Sequence, residues 1–264
     1  MSRTLLRFAI YLLWGLACPC WALAQGFIHP VEGLPLTSGV FGELRTNHLH
    51  SGLDYRTGGN TGIPVLAAAS GHVSRIKTSA TGYGLALYLD HPNGYTTVYA
   101  HLERYASPLA AWIKARHYQY LQFELDLALQ PGEMPVRQGQ IIGYSGNTGG
   151  SGGPHLHFEI RDSKNEEPLN PELFYHGKIL DSVSPVMGVI RLFVPSGLDG
   201  TFRISQGKDT LEMEASRSCF YWTIQFSDDQ TQKGNQNFPY EIELKENQKS
   251  WFHLKNDRFA FWQS

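Results

Sequence analysis

Cysteine is scarce: the 264 residues hold three, and two of them, Cys18 and Cys20, sit near the N-terminus. If that stretch is removed, only Cys219 remains and no internal disulfide framework can form. No run of Lys and Arg is present, and the formal net charge is -2, so nothing in the charge pattern favours nucleic acid as a partner. No apolar run reaches the ~20 residues that cross a bilayer as a helix. Internal repeats, heptads and low-complexity tracts are also missing. What is present, 42% hydrophobic and 17% charged residues, suits one or two globular domains rather than a disordered chain.

The first residues, "MSRTLLRFAIYLLWGLACPCWALAQG", place Arg3 and Arg7 ahead of an apolar run, with a small-x-small site at Ala22-Leu23-Ala24. This layout predicts a signal peptide over residues 1–24, cleaved before Gln25, and export to the periplasm or cell envelope with no stable membrane insertion afterwards. The lesser alternative is a lipid anchor at Cys18. The box Leu16-Ala17-Cys18 matches imperfectly, and a second apolar stretch follows it.

Residues 25–180 are rich in glycine and in short β-type runs, and Asn93-Gly94 between alternating apolar stretches is a strong hairpin signal. The expected fold class is mainly β, an antiparallel sheet domain. It is interrupted at about 105–131, where Ser107-Pro108 reads as a helix start and Leu109, Trp112 and Ile113 recur at helical spacing; "FELDL" then alternates like a strand. Beyond Pro185 the runs "VIRLFV", "TFRI", "CFYWTIQF", "YEIEL", "SWFHL" and "FAFW" predict a small β-sandwich over 185–264. The last run reaches Ser264 without a turn, which points to an incomplete second domain.

Most of the eleven histidines need no special role, and His72 and His91 read as strand- or hairpin-edge residues. The stretch "GGPHLHFEI" differs. On a strand, His155 and His157 point to one face while Leu156 and Phe158 point to the other. In "HSGLD", His50 and Asp54 are four apart, with Gly52 between them allowing a tight backbone. With His157 as a third ligand, a His/His/Asp set with an open position suits catalytic Zn2+.

Three ordered blocks, "FGELRTNHLHSGLD", "GYTTVYAHL" and "GQIIGYSGNTGGSGGPHLHFEI", resemble the lysostaphin-type zinc metallopeptidases that cut peptides in bacterial peptidoglycan. The resemblance covers about Gly39 to Phe174. It implies that residues 25–180 form a zinc metallopeptidase domain, with His50, Asp54 and His157 as zinc ligands. His101 and His155 become the unliganded catalytic histidines, which orient and deprotonate water or hydrogen-bond the oxyanion. His48, in a second "HLH", is assigned a structural role, and Asn47 lies too near His50 to act as a masking ligand. The helical insertion lengthens a connection that is short in simpler members, and is expected to wall or cover the substrate groove. The implied partner is a peptidoglycan stem or cross-bridge peptide; no partner of the second domain can be named. Two other readings remain at this point, an inactive wall-binding or regulatory scaffold and an envelope protease acting on proteins.

Overall fold

The computed structural model describes residues 26–33, 35–175, 186–193, 199–203, 221–227, 240–246 and 248–260. The expected signal peptide and the junction near residue 180 lie outside them. In chain order the strands are β1 (Thr37–Gly39), β2 (Leu53–Arg56), β3 (Pro64–Leu66), β4 (Gly71–Thr78), β5 (Leu85–Asp90) and β6 (Tyr95–Tyr105). Helix α1 (Leu109–Tyr120) follows, then β7 (Leu125–Ala128), β8 (Pro135–Val136), β9 (Ile141–Ser145), β10 (His155–Asp162) and β11 (Pro168–Leu169). All of these strands join one antiparallel sheet with the main order β1-β2-β10-β6-β5-β4-β7.

Alternation decides the two faces. Leu53, Tyr55, Leu87, Leu89, Tyr99, Leu156, Phe158 and Ile160 point to one side and form the main core. Ala86, Tyr88, Val98 and Ala100 pack on the other side, with Tyr83 against them. The Asn93-Gly94 turn joins β5 to β6 as an antiparallel hairpin, with Gly94 at φ 84° where a side chain would be strained. His91 braces this turn: its Nδ1 bonds Ser70 O at 3.0 Å and its Nε2 bonds Thr97 Oγ1 at 2.8 Å.

The insertion is helical, but Ser107 does not cap it; the N-cap position is Pro108, with no side-chain cap. Nor is it a detached flap. Leu109, Ile113, Leu125 and Leu129 are buried in the main core, and β7 pairs with β4 as the sheet edge. Among the described residues, no helix is long and apolar enough to cross a membrane.

Of the runs beyond Pro185, β12 (Val186–Phe193), β13 (Asp199–Arg203) and β14 (Tyr221–Ser227) form a sheet in the order β13-β12-β14. Strands β15 (Glu241–Glu246) and β16 (Lys249–Lys255) pair as a hairpin. "FAFW" contributes no strand among the described residues. Residues 256–259 return to the large sheet: Leu169 and Arg258 form a β-bridge, and Phe41 stacks on Phe259.

Candidate metal centre

Three adjacent strands carry the site. In the ladder, His157 on β10 pairs with Asp54 on β2 and with Ala100 on β6, so Asp54 and His157 lie side by side on the face opposite the main core. His50 is on neither a helix nor a strand. It precedes β2 in a loop whose backbone bonds back on itself, His50 N to Glu43 O at 2.8 Å and Gly42 N to His50 O at 2.8 Å. The bend returning the chain from His50 to β2 passes so close to β10 that a Cβ on Gly52 would lie 2.2 Å from Phe158 O. That close approach, rather than an unusual φ, is why glycine stands there.

Simple alternation along "YTTVYAHL" would turn His101 toward the main core with Tyr99. The register prevents it. Leu87 faces Tyr99 and Leu85 faces Leu102, so β6 holds one residue more than β5 across this interval. Tyr99 and Leu102 both reach the core, and His101 is the bulged residue, at φ 57°. A non-glycine residue in this region stores about 1–3 kcal/mol of strain, the kind of conformation that collects at functional sites. Here the bulge aims the imidazole at the metal-ligand face, 4.8 Å from the His155 ring and 5.9 Å from His157.

Three donor atoms converge. His50 Nε2 is 3.0 Å from His157 Nδ1 and 3.0 Å from Asp54 Oδ1, and His157 Nδ1 is 2.9 Å from Asp54 Oδ1. The outer atoms decide the protonation. His50 Nδ1 lies 2.7 Å from Val40 O, a carbonyl that can only accept, so that nitrogen carries the proton. His157 Nε2 lies 2.8 Å from Glu159 Oε1 and donates likewise. Two inward imidazole nitrogens and a carboxylate oxygen are therefore left facing each other, an arrangement satisfied by a shared proton or by a metal cation between them. His50, Asp54 and His157 are all buried and could hold a metal ion. Tautomers fixed by a carbonyl and a carboxylate are what metal-ligating histidines ordinarily have behind them. Asp54 is held to one oxygen, because Arg45 Nη2 donates to Oδ2 at 2.9 Å.

Electrostatics favours positive charge at the same point. Burial alone would raise the Asp54 pKa, but the imidazoles of His155, His157 and His50 around it hold it well below the usual carboxylate range. Burial would lower His157, yet Asp54 and Glu159 push it up to about 9. His101 moves the other way, down to about 4, through burial first and then the neighbouring His157. It is neutral near pH 7. Its Nδ1–H donates to Thr148 O at 2.8 Å, which leaves the Nε2 lone pair free to take a proton. His155 is held similarly, Nδ1 to Gly153 O at 2.8 Å, with Nε2 at 3.5 Å from Asp54 Oδ1. Its side chain, 17% exposed against 6% for His50 and 5% for His157, is the side of the site open to an incoming molecule.

A model of the family described as Peptidase family M23 matches residues 48–117 and 114–171. Residues 48–171 belong to peptidase family M23. The chain is 38% identical over 128 residues, 48% of its length and 23% of the relative, to DD-carboxypeptidase/endopeptidase Mpg of Neisseria meningitidis serogroup B. It is 34% identical over 121 residues, 46% of this chain and 21% of the relative, to Peptidoglycan DD-endopeptidase ShyC of Vibrio cholerae. The chain thus spans less than a quarter of the length of these curated relatives. Among solved structures, the catalytic domain of lysostaphin from Staphylococcus simulans aligns with 51% of this chain and 87% of its own at 27% identity and a TM-score of 0.38.

All five residues singled out in the sequence of the M23 segment meet on one face; His48 does not. It is exposed, and its Nδ1 lies 2.7 Å from Asn47 Oδ1. The support behind His157 comes from residues not singled out in the sequence. Glu159 is fully buried, and its Oε1 also accepts from Ser51 Oγ at 2.6 Å and from the Tyr83 hydroxyl, while Arg161 Nε donates to Oε2 at 2.6 Å. A signal was present: in "HLHFEIR" the period that pairs His155 with His157 continues to Glu159 and Arg161, two charges on a strand otherwise buried.

Proposed function

We propose that the chain is an exported, zinc-dependent endopeptidase that hydrolyses peptide bonds in peptidoglycan stem or cross-bridge peptides. The single observation that supports this best is the convergence of two inward imidazole nitrogens and one carboxylate oxygen within about a hydrogen-bond length, beside two further histidines, His155 with Nε2 3.5 Å from Asp54 Oδ1 and His101 with its ring 4.8 Å from that of His155. Two nitrogens and one oxygen, with a side left open, suit zinc. When bound, zinc is a Lewis acid that acidifies water and polarises a carbonyl.

In this reading His50 Nε2, Asp54 Oδ1 and His157 Nδ1 hold the ion. His101, neutral near pH 7, accepts the proton of the attacking water at Nε2 or hydrogen-bonds the carbonyl oxygen as charge develops on it; His155 Nε2 serves the same pair of tasks from the open side. The Nδ1–H bonds to Thr148 O and Gly153 O keep both rings oriented and direct proton exchange to Nε2. The N-terminal layout of two arginines, an apolar run and Ala22-Leu23-Ala24 supports action outside the cytoplasm, where the wall is. The peptidoglycan endopeptidase named among the relatives supports the substrate class.

The test is digestion of purified sacculi of differing cross-link chemistry, with products identified by mass spectrometry. Release of muropeptides that stops on chelation and returns with zinc is expected. Intact sacculi together with cleavage of envelope proteins would overturn the substrate class.

A further inference from the structure

Residues 256–259 lie far along the chain from the M23 segment, yet they touch the loop that carries His50. That loop is tied to His50 at three points: Val40 O accepts from the ring at 2.7 Å, Glu43 O accepts from His50 N at 2.8 Å, and Gly42 N donates to His50 O at 2.8 Å. Between these points Phe41 is 2% exposed, and its ring stacks on Phe259, 8% exposed, with centroids 5.0 Å apart. Next to it, a Cβ on Gly42 would lie 2.5 Å from Asn256 Oδ1, so the side chain of Asn256 sits directly on this backbone.

The same short segment is clamped from the other side. Asn170, 1% exposed, donates its backbone N–H to Asp257 O at 2.7 Å and its Nδ2 to Asn256 O at 2.9 Å. Leu169 and Arg258 form a β-bridge, and β11 pairs Leu169 with Ile160 on β10, the strand of His155 and His157.

We infer that residues 256–259 position the metal ligand His50, with Phe259 as the positioning residue; this rests on the metal site proposed above. Phe41 and Gly42 are pinned between His50 and the 256–259 segment, while the segment itself is anchored to β10 through Asn170 and β11. The distance from His50 to His157 is then set by a closed path through both parts of the chain, and not by the His50 loop alone. Burying two aromatic rings against each other gives that path stiffness that a solvent-exposed Phe41 would not have.

The test uses the full chain and its Phe259→Ala and Phe259→Leu variants, with Ile76→Ala as a control in the core at β4. Zinc affinity is read by competition with a chromophoric chelator, and the exchange of the His50 Nδ1–H with water by NMR of the 15N-labelled protein. Phe259→Ala is expected to weaken zinc by about 10-fold or more, as loss of outer support typically does, and to speed that exchange. Phe259→Leu should fall between it and wild type. Ile76→Ala should lower the melting temperature and leave zinc affinity unchanged. If Phe259→Ala does not fold, the order of wild type and Phe259→Leu decides. Wild-type zinc affinity and exchange in the Phe259 variants, or an equal loss in Ile76→Ala, would overturn the inference. A wild-type chain that binds no zinc would sink the metal reading, while the exchange measurement would still decide whether Phe259 positions His50.

Discussion

Three ligand atoms held face to face inside a protein need a proton or a metal ion between them, and this dictates how single substitutions divide. His50→Ala, Asp54→Ala and His157→Ala each remove one corner of the triangle, so metal analysis of the folded variants should find little or no zinc and a sacculus assay no activity. His101→Ala and His155→Ala leave the triangle intact; they should keep zinc and lose about 10²-fold or more in rate. A zinc-free His155→Ala beside a zinc-loaded His157→Ala would reverse the assignment within "HLH". Glu159 is a different case, because it touches no open side. Replacing it by Leu removes the acceptor of the buried Arg161 Nε–H and of the His157 Nε2–H, and breaking such a buried pair costs about 3–5 kcal/mol, measurable by urea unfolding of the zinc-free protein. Glu159→Gln keeps an acceptor oxygen and should cost less.

At the level of strands and turns, the site depends on where backbones can meet. Gly52→Ala puts a methyl into Phe158 O and must push β2 from β10, which separates Asp54 from His157. Lower stability together with weaker zinc binding is expected, and an unchanged affinity would show that the loop can yield elsewhere. The β5–β6 hairpin carries a pH dependence of its own. Burial, the leading cause, lowers the pKa of His91 from 6.5. Below about pH 6.5 the unfolded chain therefore takes up a proton that the folded hairpin does not, so the contribution of His91 is fully present above that pH and declines as pH falls toward the folded-state value. The loss of stability between pH 7.5 and about 5.5, followed by urea unfolding, should be shallower in His91→Gln than in wild type. Strand β6 makes the same point about backbone geometry from another direction. Its bulge turns His101 over, and the positive φ there is tolerated because Thr148 O and Tyr83 O hold the ring and the backbone N–H.

For the molecule as a whole, metal binding and folding are linked. A ligand that binds only the folded state at 100 times its dissociation constant adds about 2.7 kcal/mol. Chelation should therefore lower the melting temperature of wild type and leave that of His157→Ala unmoved; equal shifts in both would place the bound ion elsewhere. Much of this architecture was legible in the sequence because its signals are local. The period of two put His155 and His157 on one face and Leu156 and Phe158 in the core, Asn93-Gly94 marked the hairpin, and Leu109 and Ile113 marked the helix. The same period already held Glu159 and Arg161. Other features depend on contacts between residues distant in the chain. The bulge at His101 appears only in the register of β6 against β5, the need for glycine at 52 only in the approach of β10, and the tie from Phe259 to the His50 loop only when residues 256–259 fold back. Residue types and their spacing by themselves determined which side chains could bind a metal and which face each strand would offer. Tertiary structure alone decided which nitrogen of His50 and of His101 is free, because a tautomer is set by the acceptor behind it, and Val40 and Thr148 reach those positions only through the fold, whereas Gly153 and Glu159 stand two residues from His155 and His157.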